Sequence, residues 1–123
     1  MIKILYVDDE AAFLDLTKLY LERMGGFEIE TADSAYKALE LLDKNQYDAI
    51  ISDFQMPRMD GIQFLKKVRT SGNKVPFIIF TVKSREEVSA EGLKADNGVY
   101  LQKGGDVKTQ FTELVHRVTE AVQ

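Results

Sequence analysis

The chain contains no cysteine and one histidine in 123 residues. The first absence excludes disulfides, thiol catalysis and thiolate metal sites. The second excludes a multi-histidine metal site within the chain, and His116, set among residues at helical spacing, is expected at the surface. Clustered cations are also missing. Sixteen Lys and Arg face twenty Asp and Glu, for a net charge of −4, and the densest basic group, Lys66, Lys67 and Arg69, reads as a solvated helix face. Phosphate backbones are held by clustered Lys and Arg, so no direct contact with nucleic acid is expected. No apolar run is long enough to span a bilayer. The opening run, residues 2–7, is cut off by Asp8-Asp9-Glu10 and is too short for a secretory signal. A cytoplasmic protein without membrane contact is the expectation. Neither a Gly-x-Gly-x-x-Gly nor a Walker loop is present, and there is no internal repeat, linker or low-complexity stretch.

What is present is one domain's worth of alternating strands and helices, with 45% hydrophobic content. Residues 2–7 are β-rich and apolar. Ala12, Leu16, Leu19 and Tyr20 recur at helical spacing, and Gly25-Gly26 ends that helix. Residues 27–31 alternate apolar with charged, as suits a strand near a sheet edge with one wet face. Asp33 or Ser34 caps a second helix with Ala35, Ala38, Leu39 and Leu42 inward. Residues 49–53 form a short strand, apolar at Ala49-Ile50-Ile51 and ending in Asp53, with Pro57 and Asp60-Gly61 forcing a loop after it. Asp60 caps a third helix carrying Ile62, Leu65 and Val68. A fourth strand covers 76–81. Ser84 with Glu87 forms a capping box for a fourth helix, which has only Val88 and Leu93 as strong anchors and is weakened by Gly92, at about 1 kcal/mol relative to Ala. Residues 98–101 form a fifth strand, and Asp106 caps a last helix with Phe111, Leu114, Val115, Val118 and Val122 inward.

Such alternation requires a parallel sheet with right-handed crossovers and helices on both faces. Ligand chemistry in that architecture lies beyond the carboxyl ends of the strands. There the sequence delivers Asp8 and Asp9 from the first strand, Asp53 from the third, Thr81 from the fourth and Lys103 from the fifth. Each residue alone has an ordinary explanation as a cap, a satisfied hydroxyl or a solvated cation; their coincidence on one rim points to a site. Two unit charges about 4 Å apart cost about 4 kcal/mol at an effective dielectric of 20, so three acids need a cation. Lys103 supplies one, and a hard divalent ion held by oxygen atoms, Mg2+ or Mn2+, supplies another. An ionised Asp53 beside both is equipped to attack a phosphoryl group and form an aspartyl phosphate.

With Asp8-Asp9, Asp53, Met56-Pro57, Asp60-Gly61, Thr81, Tyr100 and Lys103 in this order and at these spacings, the whole chain resembles a two-component response-regulator receiver domain, of the chemotaxis-receiver kind. The resemblance implies a flavodoxin-like (βα)5 fold with sheet order 2-1-3-4-5, as one receiver domain over residues 1–123. It implies that Asp53 is the phosphoacceptor, that Asp9, Asp53 and the backbone carbonyl of Gln55 bind Mg2+ directly, and that Asp8 acts mainly through a metal-bound water. Lys103 would pair with the phosphoryl oxygens, Thr81 would move to bond them, and Tyr100 would change rotamer with it. The implied donor is a sensor histidine kinase or a histidine phosphotransfer domain. The implied readout is a face formed by the fourth helix, fifth strand and fifth helix, acting on a downstream protein or a fused output domain. Such a domain catalyses its own phosphorylation and dephosphorylation and turns over no metabolite.

Two positions depart from the family pattern. Gly104 replaces the proline common after the lysine, and Val82 replaces the small residue usual after the threonine. Two other functions compete with the signalling switch. One is a receiver-fold interaction module that is never phosphorylated, against which the complete acidic set argues. The other is a Mg2+-dependent phosphatase of the haloacid-dehalogenase type, which places an Asp-x-Asp pair after the first strand, where this chain has Asp8-Asp9-Glu10 instead. A flavin carrier is disfavoured, because the acidic loop after the first strand would repel the cofactor phosphate.

Overall fold

The computed structural model describes residues 1–88 and 90–123, and the side chains of all but residues 89–92. Five parallel strands, β1 (Ile2–Val7), β2 (Phe27–Ala32), β3 (Ala49–Ser52), β4 (Phe77–Thr81) and β5 (Gly98–Gln102), form one sheet of order β2-β1-β3-β4-β5. The helical segments are α1 (Ala11–Met24), α2 (Ala35–Lys44), α3 (Gly61–Thr70), α4 (Arg85–Val88), α5 (Ala90–Ala95) and α6 (Val107–Val122). The expected fold is therefore observed. The helix expected after Ser84 corresponds to α4 and α5, which flank Ser89, a residue outside those described. Gly92, expected to weaken that helix, lies among the residues whose side chains are not described.

Strand alternation divides the core into two layers. Leu5, Val7, Ile50, Phe77 and Ile79 face α2 and α3 and meet Ala38, Phe64, Leu65 and Val68, with Val88, Leu93 and Tyr100 in the same cluster. Ile4, Tyr6, Ile51, Ile78 and Phe80 face α1 and α6 and meet Leu14, Leu21, Phe111, Leu114 and Val118. Every residue of β3 and β4 is buried, as strands covered on both faces require. β2 lies at the edge of the sheet, as its alternation predicts.

The caps match the sequence reading. Ser34 Oγ accepts from the Lys37 amide, Asp60 and Gln63 form a reciprocal capping box, and Asp106 accepts from the Thr109 amide. Ser84 and Glu87 make the expected capping box. The residues that recur at helical spacing in α1 do not mark its buried face. Leu14, Thr17 and Leu21 are buried, whereas Leu16 and Leu19 are 42% and 52% exposed and Ala12 is also exposed. Apolar residues run most of the way round this helix, so its spacing admits two stripes, and packing against β1 and α6 selects the one containing a threonine.

Candidate functional site

Backbone hydrogen bonds carry the strand pairing one residue past β3 and β5. The Asp53 amide donates to the Val7 carbonyl at 2.9 Å, and the Lys103 amide donates to the Thr81 carbonyl at 2.6 Å. These bonds fix where the two side chains leave the sheet. Because Val7 pairs with Ser52 in the β1–β3 register, Asp8 and Asp53 come next in adjacent rows. Three acids result with carboxylate oxygens within 4.8 Å of one another: Asp8, Asp9 and Asp53.

Lys103 reaches across the end of β4 to two of them. Its Nζ lies 2.8 Å from Asp8 Oδ2 and 3.2 Å from Asp53 Oδ2, and its side chain is 8% exposed. The carboxylates differ in their surroundings. Asp8 is fully buried. Its Oδ2 takes Lys103 and its Oδ1 takes the Glu10 amide at 3.0 Å. Burial raises its pKa, and the hydrogen bonds from Lys103 and Glu10 offset only part of that effect. Asp53 is partly accessible, with Oδ1 accepting from the Phe54 amide at 2.6 Å. Asp9 is exposed.

An open cavity of about 490 Å³ lies over Asp53, lined also by Asp9, Glu10, Gln55, Met56, Pro57, Thr81 and Val82. Asp8, Asp9, Asp53 and Lys103 are thus brought together, with Gln55 and Thr81 bordering the same space. Thr81 is fully buried, and its Oγ1 accepts from the Lys83 amide at 3.3 Å. Tyr100 does not join the rim. It packs inward in the α2–α3 layer, its hydroxyl donates to the Lys83 carbonyl, and Arg85 stacks on its ring with the guanidinium carbon 5.1 Å from the centroid. The two ends of Lys83 therefore connect Thr81 to Tyr100.

The donor set suits a hard metal ion. Three carboxylates converge with no nitrogen or sulfur among them, the Asp8 oxygens are already engaged by the chain, and Asp9 and Asp53 open onto the cavity. This acidic cluster could hold a metal ion.

Sequence reading missed three supporting groups. Ser52 Oγ donates to the Asp53 carbonyl at 2.8 Å from a fully buried position. Gly61 approaches the same segment so closely that a Cβ there would lie 2.4 Å from the Asp53 carbonyl oxygen. Phe13 presents its ring to Lys103. Only the glycine carried a signal, and it read as a loop-former. At the departure after Lys103, Gly104 has φ 150° and its amide donates to Gln110 Oε1 at 2.7 Å. Proline supplies neither that φ nor an N–H, so the glycine is required by the loop as built. Among the described residues no peptide bond is cis.

Comparison with known proteins agrees with this geometry. The family model for the response regulator receiver domain matches residues 4–118. The transcriptional regulatory protein SrrA of Staphylococcus aureus (strain NCTC 8325 / PS 47) is 40% identical over 101 residues, covering 82% of this chain and 41% of SrrA. Response regulator MprA of Mycobacterium sp. (strain KMS) is 31% identical over 102 residues, covering 83% of this chain and 44% of MprA. The chain thus spans less than half the length of these two relatives. Among solved structures, the receiver domain of Francisella response regulator 1452 superposes with TM-score 0.86 at 32% identity, covering 99% of this chain and 97% of that one. Response regulator TrrA of Thermotoga maritima, solved in complex with Mg2+-BeF, gives TM-score 0.84 at 30% identity, covering 98% of this chain and 99% of that one. With its sheet order, its acidic cluster and its buried lysine all in place, the chain belongs to the response regulator receiver domain family.

Proposed function

We propose that the chain is a phosphorylation-driven signalling switch in which Asp53 accepts a phosphoryl group from the phosphohistidine of a sensor kinase or phosphotransfer domain. The observation that carries this reading is the arrangement at Asp53: one partly accessible carboxylate, beside two further acids and a buried lysine, opening onto a cavity. A carboxylate oxygen of Asp53 attacks phosphorus, the phosphorus–nitrogen bond of the donor breaks, and the electron pair leaves with the imidazole. Lys103, already 3.2 Å from Asp53, remains beside the charge that spreads over the phosphoryl oxygens. Asp9, Asp53 and the Gln55 carbonyl would hold Mg2+, with Mn2+ as a substitute, and Asp8 would act from behind them through a bound water. The bound ion would supply charge neutralisation for both the acids and the incoming phosphoryl group. No metabolite is turned over, which separates this reading from a phosphatase.

The metal assignment makes a thermodynamic prediction. Mg2+ at 100 times its dissociation constant is expected to stabilise the folded protein by about 2.7 kcal/mol. Asp9→Ala should abolish most of that gain, and Glu10→Ala should retain it, as read from the unfolding midpoint with and without Mg2+. Equal Mg2+ responses for the two variants would remove Asp9 from the metal site.

The readout follows from Lys83. When the Thr81 hydroxyl turns to a phosphoryl oxygen it releases the Lys83 amide, and the Lys83 carbonyl is the acceptor for Tyr100. The seated Tyr100 is then one state of a pre-existing equilibrium, and phosphorylation changes its population. Tyr100 borders a cavity of about 340 Å³ lined also by Arg85, Leu93, Lys94, Val99 and Arg117. This face, formed by α4, α5, β5 and α6, is the surface offered to a downstream protein or fused output domain. Amide hydrogen exchange is expected to change within residues 84–105 on phosphorylation. Changes confined to α2 and α3 would refute this output face.

A further inference from the structure

The Lys103 ammonium has two aromatic neighbours besides its two carboxylates. It lies 4.1 Å from the centroid of the Phe13 ring and 5.5 Å from that of Phe80. An ammonium carries three N–H donors. Asp8 and Asp53 take two, at 2.8 and 3.2 Å. With the side chain 8% exposed, little water is available for the remaining side of the charge. The face of an aromatic ring is its electron-rich region, and a cation within about 6 Å of the centroid is attracted to it.

We propose that Phe13 is a positioning residue for Lys103: its ring face receives the side of the ammonium not bonded to the acids and holds the charge between Asp8 and Asp53. The ring is itself held. Its centroid lies 6.1 Å from that of Phe80 and 6.1 Å from that of Phe111, in the layer between α1, α6 and the sheet. α1 thus contributes to the site from its first turn, beyond the acidic loop that precedes it.

Two consequences explain why a ring suits this position. A carboxylate or amide at position 13 would satisfy the ammonium through a directed hydrogen bond and resist its movement. A ring face tolerates lateral shifts, so Lys103 can exchange its bond to the Asp53 carboxylate for one to a phosphoryl group without also breaking a directed bond to residue 13. The ring also adds no formal negative charge to a site that already gathers three acids.

The test replaces Phe13 by ring-fluorinated phenylalanines of increasing fluorination, which keep the shape and withdraw electron density from the face, and by leucine, which removes the ring. One readout is the chemical shift of the Lys103 ε-methylene protons, which a ring at this distance moves upfield. The other is the initial rate of phosphoryl uptake from acetyl phosphate with Mg2+, followed by intact mass. The upfield displacement is expected in the wild type and lost in Phe13→Leu. The rate is expected to fall stepwise with fluorination, by about tenfold at the most electron-poor ring, while the unfolding midpoints of the fluorinated proteins stay close to wild type. A merely structural phenylalanine would give equal rates across that series, and that result overturns the proposal. So does an unshifted Lys103 resonance in the wild type. The kinetic arm rests on the proposed phosphoryl transfer. A wild type that gains no phosphoryl group refutes that function, and the lysine shift then decides the ring contact on its own.

Discussion

Asp53→Asn is expected to abolish phosphoryl uptake from acetyl phosphate and Mg2+, with the wild type gaining one phosphoryl group by intact mass under the same conditions. The amide keeps the shape of the carboxylate and an oxygen able to accept the Phe54 amide hydrogen, which now meets Asp53 Oδ1 at 2.6 Å. What it loses is the anionic nucleophile. No neighbour is expected to replace it: Asp8 is fully buried with Lys103 on one oxygen and the Glu10 amide on the other, and Asp9, though exposed, is the carboxylate proposed to hold the metal. The expected effect is therefore loss of the adduct rather than a slower rate. A hydroxylamine-sensitive adduct in undiminished yield on the Asn variant would show that another residue is the acceptor. The same substitution also removes one negative charge from the acidic cluster. Its stability without Mg2+ should consequently not fall, which separates chemical loss from misfolding.

Most of the rim was legible because its residues lie at strand ends, and strand ends are easy to find in a chain whose buried strands are continuous apolar runs. Ala49-Ile50-Ile51 and Phe77-Ile78-Ile79-Phe80 fixed where Asp53 and Thr81 would emerge, and parallel pairing placed them on one edge. The sheet order explains why Asp8 stands beside Asp53. The inward face of α1 is not legible from spacing because Leu14, Leu16, Leu19 and Leu21 offer alternative stripes, and the buried stripe includes Thr17, a residue that hydropathy does not favour. Phe13 was invisible as part of the site for a related reason. An apolar residue in a helix facing the core has an ordinary role, and only the position of the Lys103 ammonium over its ring points to the positioning role proposed for it. Tyr100 was identified by resemblance alone, and its link to Thr81 through the two ends of Lys83 depends on loop geometry that no spacing encodes.

Gly61→Ala is expected to destabilise the protein by roughly 1–3 kcal/mol, the usual cost of overpacking a well-filled interior, and to impair phosphoryl uptake as well. Gly61 opens α3, immediately after its Asp60 cap, and its amide donates to the Phe54 carbonyl at 2.7 Å. Alanine is intrinsically the better helix residue by about 1 kcal/mol, so propensity alone predicts a gain. Space predicts a loss. A Cβ at this position would lie 2.4 Å from the Asp53 carbonyl oxygen, 2.7 Å from Ile79 Cδ1 and 3.0 Å from Phe54 Cα. Ile79 can yield at its tip, but the other two contacts are backbone, and Asp53 and Phe54 can move away only by shifting the proposed acceptor itself. Gly72→Ala provides the control. That glycine has φ +89° and nothing within 4 Å of its Cβ position, so alanine there incurs conformational strain far from the site. Both variants should lose stability in denaturant unfolding, but only Gly61→Ala should also lower Mg2+ affinity and slow the gain of phosphoryl mass. An alanine variant at position 61 as stable as wild type, and phosphorylated at the same rate, would mean that the loop after β3 is loose enough to absorb a methyl group, and that Asp53 is not held in place by the start of α3.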